Sequence, residues 1–149
     1  MTRIEKDAWE EMLAHAAGAY PNECCGAMLG RRQAGVEQVS LAVPLENVSR
    51  GPLGCRYEIR PQDLLRTEDM ARDQGLTSIG IYHSHPDANA YFSETDLKNS
   101  CPWFTFVVLS VRGGRFDHAR GYRPNLERTR AEPEPLFYPN GDSSPWPKS

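Results

Sequence analysis

Apolar residues near the start of the chain recur at spacings of three and four, at Ile4, Ala8, Trp9, Met12, Leu13 and Ala16. This predicts one apolar helix face, with Thr2 as N-cap and Gly18 and Pro21 as the stop. Residues 25–30 are a short continuous apolar run suited to a buried strand. Residues 36–45 follow Gly35, which predicts a hairpin. Residues 46–56, with Gly51, Pro52 and Gly54, read as a loop, and residues 57–59 as a short strand. Pro61 suits the first position of a helix through Leu64, Leu65 and Met70, ending at Gly75. Residues 77–83 read as a strand, 86–92 as a loop, and Ser93 as the N-cap of a short helix. Residues 104–112 and 115–122 flank Gly113-Gly114, a two-residue hairpin signal. Helices and strands alternate early and a hairpin closes the sheet, which predicts an α/β (α+β) fold with a mixed β-sheet packed by helices. From Glu132 onward five prolines set residues 124–149 apart as a Pro-rich tail behind a domain over residues 1–123. That tail should form no regular helix, and its last residues should be disordered.

A chain of 149 residues is the size of one domain and buries enough surface to fold without disulfides or a structural metal. Seventeen basic against twenty acidic side chains leave a net charge of −3. That argues against a non-specific nucleic-acid binder, which needs a dense basic face to neutralise phosphates. The longest strongly apolar run, Trp103-Phe-Thr-Phe-Val-Val-Leu109, falls far short of the ~20 residues of a spanning helix, so no membrane insertion is expected. The N-terminus shows no apolar run of a signal peptide. Cys24, Cys25, Cys55 and Cys101 resemble no disulfide framework. Together these point to the cytoplasm.

The chemistry concentrates in Tyr82-His-Ser-His-Pro86. Residues i and i+2 of a strand share a face, so His83 and His85 can present both imidazoles together where Pro86 ends the pairing. Ser93-Glu-Thr-Asp96 opens a helix and sets Asp96 in its first turn, where a carboxylate is favoured. Two histidines and a carboxylate make a catalytic zinc ligand set with one position left open. Taken singly, His-x-His is a polar strand end and Ser-x-x-Asp a helix cap; the conjunction points to metal.

His83-Ser-His85-Pro, seven residues, Ser93, two residues, Asp96 resembles the JAMM motif of the Mov34/MPN/PAD-1 zinc metallopeptidases. Glu23, in Pro21-Asn-Glu-Cys-Cys-Gly26, matches the glutamate this family carries upstream. Tyr57-Glu-Ile-Arg-Pro61 resembles the segment before its second helix. The likeness runs from Ile4 to Tyr122 and departs at Phe92, where many members have proline. It implies a single-domain MPN-type fold, akin to the layers of cytidine deaminases, in which His83, His85 and Asp96 hold one Zn²⁺. Glu23 would then shuttle the proton of the attacking water and Ser93 would stabilise the oxyanion. The compact form is similar to the prokaryotic stand-alone type, which acts on the C-terminal Gly-Gly of ubiquitin-like or sulfur-carrier proteins, one activity being cysteine release. A homodimer is left open, and another divalent metal could replace zinc.

The other candidates read otherwise. Cys24 and Cys25 could be thiolate ligands or nucleophiles, but Cys25 starts an apolar strand and reads as a buried hydrophobe. Cys55 and Cys101 lack a CxxC partner. His15 and His118 read as surface or hydrogen-bonded residues. A zinc deaminase needs Pro-Cys-x-x-Cys, which Cys101-Pro-Trp-Phe does not supply. Two rival functions are a non-catalytic MPN scaffold, which the complete ligand set disfavours, and a general small-peptide hydrolase, a role in phage-type assembly included.

Overall fold

The computed structural model describes residues 1–51 and 56–143, and it starts with a strand where the sequence predicts a helix cap. In chain order the elements are β1 (Thr2–Ile4), α1 (Lys6–Ala19), β2 (Cys25–Gln33), β3 (Val36–Leu45), α2 (Pro61–Asp73), β4 (Thr77–Pro86), α3 (Glu94–Lys98), β5 (Thr105–Arg112), β6 (Arg115–Pro124), β7 (Ala131–Glu134), β8 (Leu136–Tyr138) and β9 (Gly141–Asp142). Thr2 is fully buried. Its amide donates to the Pro135 carbonyl at 2.9 Å, and β1 lies parallel to both β3 and β8. Ladder bonds on both sides outweigh what a lone cap bond would give, and Glu5 takes the N-cap position of α1.

The apolar face of α1 is as the periodicity predicts, with Ala8, Trp9, Met12 and Ala16 buried. They share one core with Ile4, Met28, Val39, Ile79, Tyr82, Val107, Leu109 and Leu136. Helix α2 packs on β4 and β2, with Pro61 in its first turn. Residues 57–59 form no strand. Among the described residues of this segment the Val48 amide meets the Glu58 carbonyl at 2.9 Å, too isolated a bond for a ladder. The loop reading at residues 52–55, Cys55 included, and the expected disorder at 144–149 lie outside the described residues.

Strand order is β7-β6-β5-β4-β2-β3-β1-β8-β9, antiparallel except for the parallel pairs β4–β5, β1–β3 and β1–β8. Strands β7 and β8 stand near opposite ends of that order, yet Pro135 alone separates them in sequence. The sheet therefore curls until its ends approach, wrapping α1. Trp9 stacks on Tyr138 of β8 at 4.3 Å and meets Phe116 of β6 edge-on at 5.2 Å, which seals the join. Residues 131–142 of the Pro-rich segment are thus part of the sheet rather than a tail beyond it. Pro133 fits because it lies on an edge strand, and Pro135 because it lies between two strands.

Glu37 on β3, only 5% exposed, holds the curled sheet from inside. It accepts from the hydroxyls of Thr2 and Thr105, from Arg32 Nε at 2.6 Å and from Arg123 at 3.1 Å. Burial works against its charge, but Thr105 and the two arginines outweigh it and hold the carboxyl below its ordinary 4.5. With the folded value depressed, this stabilisation is present above the unfolded pKa and is lost as pH falls through the folded one. Both arginine side chains are 39% exposed, so screening discounts the pairing. Glu37→Gln is expected to lower stability by roughly 2 kcal/mol at neutral pH, short of the about 3–5 kcal/mol for an enclosed pair. Urea midpoints should show the gap closing as pH drops below about 4; a gap independent of pH would contradict the assignment.

Candidate active site

Strand β4 separates its side chains by face. Tyr82 points into the core around α1, where its hydroxyl meets His15 Nδ1 at 2.7 Å. His83 and His85 occupy the opposite face, as their spacing predicts. Pairing with β2 ends at Cys25–His83, while pairing with β5 runs on through Pro86. The two rings therefore stand where β2 stops and the chain of Glu23 turns in from α1. Ser84, between them, faces the core side and fixes this junction: its hydroxyl accepts from the Cys24 amide at 2.8 Å, and its amide donates to the Cys24 carbonyl at 3.1 Å.

The short helix α3 supplies the carboxylate. Ser93 and Asp96 form a reciprocal capping box. The Ser93 hydroxyl accepts from the Asp96 amide at 2.9 Å, and the Ser93 amide donates to Asp96 Oδ2 at 3.0 Å. That Oδ2 lies 3.2 Å from His83 Nε2 and 3.4 Å from His85 Nε2. Glu23, His83, His85 and Asp96 are all buried, and one ligand atom from each falls within 4.8 Å of the others. The three predicted ligands and the predicted base Glu23 are thus brought together, with Ser93 at the rim. The cap uses only the Ser93 lone pair and the hydroxyl proton remains to be donated.

The loop after β4 orients His85, whose Nδ1 lies 2.9 Å from the Asn89 carbonyl. A proton on Nδ1 for that bond leaves the Nε2 lone pair facing Asp96. The loop itself is tied to the hairpin. Asp87 donates its amide to Val111, Ser110 its hydroxyl to the Ala88 carbonyl, and Tyr122 its hydroxyl to the Ala90 carbonyl. His118 Nε2 accepts from the Ala90 amide at 3.0 Å. His15 and His118 are therefore hydrogen-bonded, as read from the sequence. His83 differs, because its Nδ1 is buried without a hydrogen-bond partner; its ring stacks instead on Tyr57, centroids 4.5 Å apart. Asn89 and Tyr57 are contributions that the motif did not reveal. Nothing local marks Asn89, which acts through its carbonyl. Tyr57 stood in the sequence only within the stretch that resembles the family's approach to its second helix, with no role in the site attached to it.

The electrostatics follow from burial and proximity. Burial raises the Glu23 carboxyl to about 7, with His85 lowering it and Asp96 adding to the rise. Burial also opposes charge on Asp96, but His83, His85 and the Ser93 amide outweigh it and hold the carboxyl well below 3.8. His83 is pulled below 6.5, chiefly by burial. For His85 burial pulls down, and the bonds to Asp96 and Asn89 raise it above 6.5. A carboxylate that stays ionised and two imidazole Nε2 atoms converging on it are a donor set that fits a borderline divalent ion. Beside the site, a cavity of about 670 Å³ opens between Tyr57, Leu64, Ile81, Thr95 and Phe106. Among the described residues no helix is long and apolar enough to cross a membrane.

Residues 5–123 match the family of prokaryotic homologs of the JAB domain. A desampylase from Haloferax volcanii is 32% identical over 120 residues, covering 77% of this chain and 84% of that protein. A CysO-cysteine peptidase from Mycobacterium tuberculosis is 31% identical over 121 residues, covering 80% of each. The solution structure of a Desulfitobacterium hafniense protein superposes with a TM-score of 0.80 at 27% identity, covering 93% of this chain and 92% of that one.

The adjacent cysteines are buried beside this site. Burial pushes the Cys24 thiol up to about 11 and the Cys25 thiol up to about 12, so neither supplies a thiolate at neutral pH. Iodoacetamide at pH 7.5 is expected to leave the peptide carrying Cys24 and Cys25 unmodified in the native protein and to label it after unfolding, as read by mass spectrometry. Rapid labelling of the native protein would restore the thiols as candidate nucleophiles.

Proposed function

The chain belongs to the family of prokaryotic JAB-domain homologs and is a hydrolytic enzyme, and on that footing we propose that it is a zinc-dependent metallopeptidase. Its bond is the amide or isopeptide that follows the C-terminal Gly-Gly of a ubiquitin-like or sulfur-carrier protein. The observation that carries this reading is the convergence of four buried donors, Glu23, His83, His85 and Asp96, within 4.8 Å.

His83, His85 and Asp96 would hold the ion, leaving Glu23 beside it as the base. When bound, zinc supplies Lewis acidity, which activates water at neutral pH and polarises the scissile carbonyl. Glu23, lifted to about 7 by burial, takes a proton from the attacking water and returns it to the leaving amine. The Ser93 hydroxyl donates to the oxygen that gains negative charge as the carbonyl carbon becomes tetrahedral. Glycines at the end of the carrier let its backbone approach so crowded a site. The CysO-cysteine peptidase relative supports a carrier–cysteine adduct as the substrate, with cysteine released; the desampylase relative supports protein conjugates. The intact donor set argues against a scaffold.

Elemental analysis is expected to find about one zinc per chain in the wild type and little in Asp96→Ala, because two histidines alone bind weakly. Absence of metal after incubation with zinc at neutral pH would remove the enzyme reading and favour a scaffold. Glu23→Gln is expected to retain zinc and lose hydrolysis of a Gly-Gly-linked adduct by about 10²- to 10⁴-fold. Turnover near wild type in that variant would take the base role from Glu23. Equal cleavage of unrelated short peptides would favour the general peptidase.

A further inference from the structure

Asn47 lies just beyond β3 in the segment leading to α2. Its side-chain amide makes four hydrogen bonds. Nδ2 donates to the carbonyls of Glu23 and Arg56, both at 3.1 Å. Oδ1 accepts from the amides of Ser49 at 3.1 Å and Glu58 at 3.0 Å. An amide has two donor hydrogens and two acceptor lone pairs, so this group is fully used. Arg56 and Glu58 flank Tyr57, so Asn47 grips the backbone on both sides of the residue whose ring stacks on His83, 26° from parallel. That stacking matters because His83 Nδ1 has no hydrogen-bond partner to orient the ring, whereas His85 is oriented through the Asn89 carbonyl.

We infer that Asn47 is a positioning residue that sets Glu23 and, through Tyr57, the His83 ring in one frame. The inference rests on the proposed roles of Glu23 as base and His83 as ligand. A single side chain thereby couples the two halves of the site, which arrive on different segments, Glu23 between α1 and β2 and His83 on β4. It touches neither the reacting bond nor the donor atoms, and its effect runs through the backbone of residues 23 and 56–58. Loss of such an orienting group typically costs tenfold or more in activity or metal affinity.

Three variants separate the effects. Asn47→Ala removes all four bonds. Asn47→Asp keeps an acceptor for Ser49 and Glu58 and loses both donors, including the one to Glu23. Tyr57→Leu removes the ring and leaves Asn47 in place. With a carrier–cysteine adduct as substrate, Asn47→Ala and Asn47→Asp are each expected to lose kcat by about tenfold to a hundredfold, with KM changed by less than about threefold. In NMR spectra of the metal-free protein, the His83 ring protons are expected to carry a ring-current shift from the stacked Tyr57. That shift is expected to collapse in Asn47→Ala and Tyr57→Leu and to persist in Asn47→Asp. Zinc affinity, measured by competition with a chromogenic chelator, should fall in the first two. Wild-type kcat with an unmoved His83 signal in Asn47→Ala overturns the inference. So does a kcat loss with His83 unmoved and KM rising in step with lost thermal stability, which is what a mere loop staple would give. Should Asn47→Ala not fold, Asn47→Asp tests the Glu23 half and Tyr57→Leu the His83 half. If the wild type leaves the adduct intact, the substrate reading fails on its own, and the His83 shifts and zinc affinity still decide the role of Asn47.

Discussion

The site depends on the antiparallel register of β2 against β4, in which Cys25 stands opposite His83. Side chains alternate faces with a period of two, so a slip of one residue would turn His83 and His85 into the core around α1 and bring Tyr82 and Ser84 out in their place. The residues between the functional ones hold that register. Ser84 exchanges two hydrogen bonds with the backbone of Cys24. Gly26 leaves space for the Tyr82 ring, which a Cβ there would meet at 2.3 Å. Along one short stretch of strand, structural and chemical side chains therefore alternate, and each set fixes the position of the other.

Curling of the sheet extends this constraint to the whole molecule. The passage from β7 to β8 through Pro135 joins the two ends of the sheet, and Trp9 fills the join. Glu37 ties β3 to β1 and, through Thr105 and Arg123, to β5 and β6. With β5 and β6 held, the loop carrying Asn89 has fixed carbonyl and imidazole partners, and the His85 ring has a fixed orientation. A buried ion network far from the donors thus contributes to their alignment. Its cost in desolvation is limited because the arginines keep contact with water.

Burial has opposite consequences for neighbouring groups. It removes Cys24 and Cys25 from nucleophilic chemistry by keeping both thiols protonated. The same exclusion of water brings Glu23 to a range where it can accept and return a proton near neutrality. Asp96 escapes that rise because two imidazoles and an amide converge on one of its oxygens. Three acidic side-chain types in one small volume are set to three different states by their immediate neighbours alone.

The sequence by itself determined the elements with strong local signals: the α1 face, the two hairpins, Pro61 at the start of α2 and the Ser93 cap. It also singled out the candidate donors, because His83 and His85 sit two apart on a strand and Asp96 three after a cap, and those spacings put each side chain on a definite face of its own element. Glu23 was legible only through resemblance, since an isolated glutamate in a turn has no period to reveal it. The tertiary structure alone decided the strand character of Thr2–Ile4 and of the Pro-rich segment, the absence of a strand at 57–59, and the roles of Asn47, Tyr57 and Asn89. These depend on partners distant along the chain or on backbone groups that every residue carries. A strand edge, a carbonyl acceptor and a stacked ring acquire meaning only when folding brings the other half of the contact to them.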